Sequence, residues 1–325
     1  MKKIKLLAPV NSYDSAVMQI DAGADELFVG VKSSDYERYS FSGRGQIGRN
    51  KIQSVPDFEE LRNIISFAHQ RNVEVNLTAN VPMFSDFKGK DYEKHYVEQV
   101  CKAVDYEVDH LIIGDIGLMS IISELNLPVN IHASTYFDTL SVAQLEFLRS
   151  LNVKRAVLSY QCDFKEVQKL CAANIMEIEV FGYLSCSFYN GACNLVHDMG
   201  EDDSQDKTSI GVPCKAQYHV NLPGGEHECA YLDADLPCGL CAVKKLQEAG
   251  VDVVKIAGRD RDSNKIANVT RMFRKAIDLA NQDTSDFESL VKELPNVWWK
   301  RLYCRKNRCK YSVNDVTKSY IGIEK

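Results

Sequence analysis

The chain is poor in several things that would decide its class at once. It has 8 Pro and 18 Gly in 325 residues, too few for a collagen-like stalk or a low-complexity linker protein. No stretch approaches the roughly 20 consecutive apolar residues that a membrane-spanning helix needs. The first residues carry Lys2, Lys3 and Lys5, but the apolar run that follows is cut short by Asn11, Ser12 and Asp14, so no secretory leader is read there. Like charges form no block: 39 Lys+Arg stand against 45 Asp+Glu, a net charge of −6, which does not favour a polyanion as partner. There is no G-x-G-x-x-G turn after the first strand, no G-x-S-x-G and no H-E-x-x-H, so a dinucleotide fold, a serine hydrolase and a thermolysin-type zinc site lack their local signals.

What the chain does have is 11 Cys. Without an export signal, the expected location is the cytoplasm, where clustered thiols point to metal or redox chemistry rather than to disulfides. Six of them, Cys186, Cys193, Cys214, Cys229, Cys238 and Cys241, fall between residues 186 and 241. Thiolates suit zinc and iron–sulfur clusters. A zinc ribbon favours two tight knuckles, and in this window only Cys238-Gly-Leu-Cys241 has that form, so the irregular spacing leans to a cluster, with zinc and unligated thiols as alternatives. Cys101, Cys171 and Cys162 read as core fillers. Cys304 and Cys309 lie in a basic aromatic tail, Trp298 to Lys310, and read as a solvated tail or as a second thiol pair near the cluster.

Short β-branched runs alternate with amphipathic segments along the chain. Strands are expected at 4–9, 26–31, 73–80, 110–115, 129–134, 153–159, 176–181 and 251–256, and helices at 14–22, 57–70, 92–105, 117–125, 141–151, 164–173, 240–249 and 265–280. Phe58, Leu61, Ile64, Ile65 and Ala68 recur at helical spacing, as on a helix that covers a sheet. Eight βα units predict an α/β fold, a (β/α)8 TIM-like barrel over residues 1–285 with a Cys-rich insertion, 182–239, after the seventh strand. An open doubly wound sheet is the alternative. Residues 286–325 form a C-terminal extension expected to pack on the barrel or to be partly mobile.

In such a barrel, strand ends on one face build the active site. The candidates there are Asn11, Asn76 or Asn80, Asp115, His132, Ser134, Ser159, Glu179, Lys255 and Arg259. Lys255 and Ala257 share a strand face that points to the lumen, while Val254 and Ile256 point to the helices. Lys255 and Arg259 suit an anionic co-substrate, since guanidinium binds carboxylates bidentately. A salt bridge from Arg259 to Asp260 or Asp262 is the plainer alternative. His132, Asp115 and Glu179 are the catalytic candidates. For His132 the competing role is structural, and for Asp115 it is the N-cap of the fourth helix.

Several short motifs, in order, resemble the peptidase family U32 proteins: Leu6-Leu-Ala-Pro9, Ala22-Gly-Ala-Asp25, Phe41-Ser-Gly-Arg44, Ile112-Ile-Gly-Asp-Ile-Gly117, His132-Ala-Ser-Thr135, Glu179-Val-Phe181 before Cys186-x6-Cys193, and Val254-Lys-Ile-Ala-Gly-Arg259. The resemblance covers about residues 4–275. It implies a barrel with a [4Fe-4S] cluster on Cys186, Cys193, Cys214 and Cys238, acting as an oxygen-independent hydroxylase of a small molecule, a peptide or an RNA base, with prephenate as oxygen donor in some members. It also implies two other readings: a non-catalytic iron–sulfur subunit paired with a second U32-family chain, and the peptidase or collagenase activity of the family's name. Where family members commonly carry Arg-Glu after the sixth strand this chain has Tyr160-Gln161, and Ala257 replaces the Glu of the usual Lys-Ile-Glu-Gly-Arg. The charge balance favours a small-molecule or peptide substrate, and the basic tail keeps RNA as the alternative.

Overall fold

The computed structural model describes residues 2–32, 55–80, 92–184, 217–222, 225–229, 238–259, 261–282, 285–306 and 308–311. In chain order its elements are β1 (Lys5–Val10), α1 (Tyr13–Asp21), β2 (Glu26–Val29), α2 (Phe58–His69), β3 (Glu74–Thr78), α3 (Tyr92–Asp105), β4 (His110–Ile113), α4 (Ile116–Glu124), β5 (Asn130–Ala133), α5 (Val142–Ser150), β6 (Val153–Val157), α6 (Phe164–Ala172) and β7 (Glu177–Tyr183). Then come β8 (Tyr218–Leu222), β9 (Gly225–Cys229), α7 (Val243–Glu248), β10 (Val253–Ile256), α8 (Ser263–Asn281), α9 (Phe287–Glu293) and α10 (Val297–Leu302). Eight parallel strands close into a barrel in the order β1-β10-β7-β6-β5-β4-β3-β2, so the expected TIM-like architecture is present and the open sheet is not. Each expected strand and helix is found, with ends shifted by a residue or two, except that the strand expected at 110–115 ends at Ile113 so that Asp115 can cap α4. The expected helix at 240–249 begins as a 3₁₀ turn, Leu240–Ala242. Within the insertion lies an element the sequence reading did not foresee, the antiparallel pair β8–β9.

Strand alternation sorts the barrel into two chemistries. Outward residues such as Leu6, Leu27, Val75, Leu77, Leu111, Ile113, Ile178, Val180 and Val254 join one aliphatic core with the helices. α2 buries Phe58, Leu61, Ile64, Ile65 and Ala68 on that core, the face that the spacing predicts, and Asp57 caps it by accepting from Glu60 N at 2.9 Å. Gly182 in β7 is required by this packing, because a Cβ there would run into Val254 and lie 2.7 Å from Phe273 of α8. The C-terminal extension contributes Phe287, Val291, Trp299, Tyr303 and Tyr311 to the same core.

The lumen is different. Its middle holds a small apolar layer of Leu7, Phe28, Ile112 and Val253, and toward the N-terminal strand ends it is ionic. Arg155 of β6, 1% exposed, donates to both oxygens of Glu26 at 2.6 and 2.8 Å, to Glu177 at 3.0 Å and to Glu179 at 3.4 Å. Burial opposes the charges of both Arg155 and Glu26, but their mutual hydrogen bonds and attraction prevail, holding the guanidinium charged and the Glu26 carboxyl well below its ordinary 4.5.

Removing one member of such a buried pair strands the other. Arg155→Met is expected to cost about 3–5 kcal/mol in urea unfolding. Since Glu26 is depressed, its share of stability is present above its ordinary value of 4.5 and is lost as pH falls below it. The wild type should therefore lose stability steeply below that pH, and Glu26→Gln should flatten that dependence.

Candidate active site at the barrel mouth

At the C-terminal strand ends lies an open cavity of about 540 Å³, its mouth included, lined by Phe28, Thr78, Asn80, Ser134, Tyr160 and Phe181 with Lys255, Ala257, Gly258 and Arg259. The ionic lumen leads up to it through Glu179, fully buried, whose Oε1 accepts from Lys255 Nζ at 2.9 Å while its other oxygen meets Arg155. Lys255 also lies 4.3 Å from the Phe28 ring centroid. Burial lowers the Lys255 pKa against the pull of Glu179.

Arg259 stands at the rim, its Nη1 donating to Thr78 Oγ1 at 3.0 Å and its guanidinium 5.5 Å from the Phe28 ring. Its backbone carbonyl accepts from Asn11 Nδ2 at 2.6 Å. The turn that carries it depends on Gly258, whose φ of +117° and contact of 2.8 Å from a built Cβ to Ile266 leave no room for a side chain.

The wall next to Lys255, which pairs in register with Phe181 of β7, is aromatic and apolar. Tyr160 packs on Phe181 with ring centroids 4.1 Å apart, beside Val157 and Ala257. Of the three positions, Tyr160, Gln161 and Ala257, at which the family resemblance leads one to expect a charged residue, Tyr160 and Ala257 fall in the cavity wall and leave it more apolar. Asn80 donates to Ser134 Oγ at 2.9 Å, and its buried Oδ1 has no hydrogen-bond partner among the described residues.

The remaining sequence candidates are placed as follows. Lys255, Arg259 and Ser134 line the cavity, and Glu179 holds Lys255 from behind. His132 is 1% exposed in the lumen, stacked on His110 at 4.4 Å, and is absent from the cavity lining. Burial, then Arg155, push its pKa well below 6.5. Asn76 is buried too, donating to Glu26 and to Leu27 O at 3.1 and 3.2 Å. Asp115 N-caps α4, its Oδ1 accepting from Leu118 N at 2.8 Å. Sequence reasoning missed Arg155, Glu26 and the aromatic wall. For Glu26 a signal existed, a charged residue that opens an apolar strand run, whereas Arg155 stands beside Lys154 and reads as solvent-facing.

Cys186, Cys193 and Cys214 lie outside the described residues. Cys238 is buried at the end of β7, bridged to Tyr183, with burial pushing its thiol up to about 12 against a backbone hydrogen bond from Leu240. The Trp299 indole N–H faces this sulfur and lowers its pKa without meeting hydrogen-bond geometry, and it has no other partner among the described residues. A buried thiol beside an unused N–H donor is chemistry that fits a metal-bound thiolate. Glu26, Glu74 and His110 also converge, at the opposite end of the barrel, but Lys5 and Arg155 already pair with those carboxylates.

A closed (β/α)8 barrel with a cationic, aromatic mouth and a thiol-rich flank defines the class. The chain belongs to peptidase family U32, whose profile it matches over residues 11–313. It is 26% identical to the 23S rRNA 5-hydroxycytidine synthase of Escherichia coli, over 87% of this chain and 41% of that protein. It is 24% identical to tRNA hydroxylation protein P1 of Bacillus subtilis, over 88% and 66%, and 22% identical to the collagenase of Porphyromonas gingivalis, over 88% and 68%. The chain thus spans between two fifths and two thirds of the length of the two RNA-hydroxylation relatives. A solved U32 peptidase, Mk0906, shares the fold at a TM-score of 0.50 with 11% identity, covering 80% of this chain and 96% of that one. Among the described residues no helix is long and apolar enough to cross a membrane.

With His132 held neutral by burial, its imidazole resonances are expected to show no titration midpoint at the ordinary 6.5 in NMR spectra. A midpoint near the ordinary 6.5 would place the ring in contact with solvent.

Proposed function

We propose that this chain is an oxygen-independent hydroxylase whose substrate is an RNA base held in the barrel mouth. The observation that carries this reading is a cavity lined both by two cations, Lys255 and Arg259, and by the aromatic wall of Tyr160 and Phe181, with Lys255 Nζ 5.9 Å from the Phe181 ring centroid. Two cations suit a phosphate or carboxylate, and stacked aromatic rings suit a planar ring. The RNA-hydroxylation relatives support the choice of RNA over a small anionic metabolite or a peptide, which share the same chemistry at the cations. Within the site, Arg259 and Lys255 orient the anion, Glu179 fixes the Lys255 ammonium, and the Tyr160–Phe181 rings back the bound ring.

Hydroxylation turns a C–H into a C–OH and removes two electrons from the substrate. Both the oxygen atom and the oxidising equivalents then come from a hydroxylated organic donor, for which the family resemblance implies prephenate. An iron–sulfur cluster on Cys186, Cys193 and Cys214, with a fourth thiol that the resemblance puts at Cys238, would supply electron transfer or a binding point for the donor. Tyr160 and Ala257, standing where relatives carry charged groups, favour one second reading: a binding subunit that works only beside another U32-family chain.

Nucleoside mass spectrometry of tRNA and rRNA from a strain lacking the gene is expected to show one hydroxylated nucleoside missing. The wild-type gene should restore it. Arg259→Ala should lower its level about tenfold or more and Arg259→Lys less, because only the point charge remains. An unchanged nucleoside profile refutes RNA as substrate, and restoration that requires a second family member favours the subunit reading.

A further inference from the structure

The chain carries a basic aromatic stretch that the chemistry of the barrel mouth leaves unused. Between residues 292 and 310 stand seven Lys and Arg against one carboxylate, Glu293, in a chain whose net charge is −6. The cations are thus segregated, and a polyanion repelled by the chain as a whole is attracted to this stretch. Its fold turns them outward. α10 buries Trp299 on the core, and Tyr303, four residues on, follows it inward. Val297, Trp298 and Arg301 take the opposite face at three-to-four spacing, with Val297 79% and Trp298 57% exposed. Arg305 is exposed on the 3₁₀ turn Cys304–Lys306, and Lys292 is exposed near the end of α9. Among the described residues Lys292, Lys300, Arg301 and Arg305 make no salt bridge. The stretch also runs straight to the mouth. Arg308 N donates to Tyr303 O at 3.0 Å to close the turn, after which Lys310 points inward to donate to the Tyr160 carbonyl and Tyr311 donates to the Phe181 carbonyl at 3.1 Å.

We propose that the outward face of α10 and the turn after it form a binding surface for single-stranded RNA, with Trp298 stacking a base that flanks the target and Arg301 and Arg305 holding phosphates. An exposed indole among cations is the pairing that sequence-tolerant single-strand binding uses: the ring takes any base by its face, and a guanidinium grips the backbone bidentately. The excess of cations asks for a polyanion. One indole and one valine offer too little apolar area for a stable protein interface or for a helix sunk into lipid. The surface deepens the RNA reading of the mouth and rests on it: the target base enters the cavity against Tyr160 and Phe181 while its neighbours stay on the C-terminal segment that braces those two residues.

Fluorescence anisotropy of the full-length protein, purified without oxygen, with a labelled mixed-sequence single-stranded RNA reads this surface apart from the chemistry. Trp298→Ala is expected to weaken binding about tenfold at unchanged salt dependence, because stacking releases no counterions, and Trp298→Phe to retain most of the affinity. Arg301→Ala with Arg305→Ala should weaken binding about tenfold and lower the slope of log affinity against log salt by about 1.4. A wild type that binds RNA with these variants unaffected overturns the surface and leaves RNA hydroxylation standing. Binding as expected, with an unchanged nucleoside profile in the deletion strain, supports the surface and counts against RNA hydroxylation alone. A wild type that does not bind RNA overturns the proposal, as does a Trp298-dependent attachment to phosphatidylglycerol vesicles or to a second copy of the chain in place of RNA.

Discussion

The position of one guanidinium governs the chemistry of this barrel. Arg155 neutralises Glu26 and Glu179 in a lumen that holds no room for an unpaired charge, and Glu179 in turn fixes Lys255 at the cavity floor. An ion network of this kind contributes little net stability compared with a well-packed apolar substitute. Its value lies in placement: a buried carboxylate held at one point of β7 presents an ammonium to the cavity above. Leu7, Phe28, Ile112 and Val253 pack around this chain of charges, which runs from Arg155 through Glu179 to Lys255.

The C-terminal segment bears on the same mouth from outside. Lys310 donates to the Tyr160 carbonyl and Tyr311 donates to the Phe181 carbonyl at 3.1 Å, so both residues of the aromatic wall are braced by the chain that follows Cys309.

Much of the fold was legible because two periods dominate the chain. Alternation in β1–β7 and β10 and the three-to-four spacing in α2 are read directly, and the shift from Ile113 to a capped helix at Asp115 is the kind of boundary that a side-chain cap decides. Lys255 was legible from strand parity, Arg259 from its place after Gly258. Arg155 was not, because a lone Arg between Lys154 and Ala156 reads as solvent-facing until closure of the barrel turns that face inward. The tail cysteines were open between a solvated tail and a second thiol pair near the cluster, and the bridge from Cys309 to Cys238 depends on how α9 and α10 pack, which no local pattern encodes. Asn76 and His132 were found as buried lumen groups, but their depth below the cavity follows from register, which single strands do not reveal.

The central claim is the proposal that the barrel mouth binds a planar anion, its charge held by Lys255 and Arg259 and its ring laid against the neighbouring Tyr160 and Phe181. A crystal structure of the metal-loaded protein with a nucleoside 5′-monophosphate tests it most directly. The account predicts phosphate oxygens within hydrogen-bond distance of Lys255 and Arg259, with the base against the Tyr160–Phe181 wall. A nucleotide bound elsewhere, with this cavity holding only solvent, would contradict it.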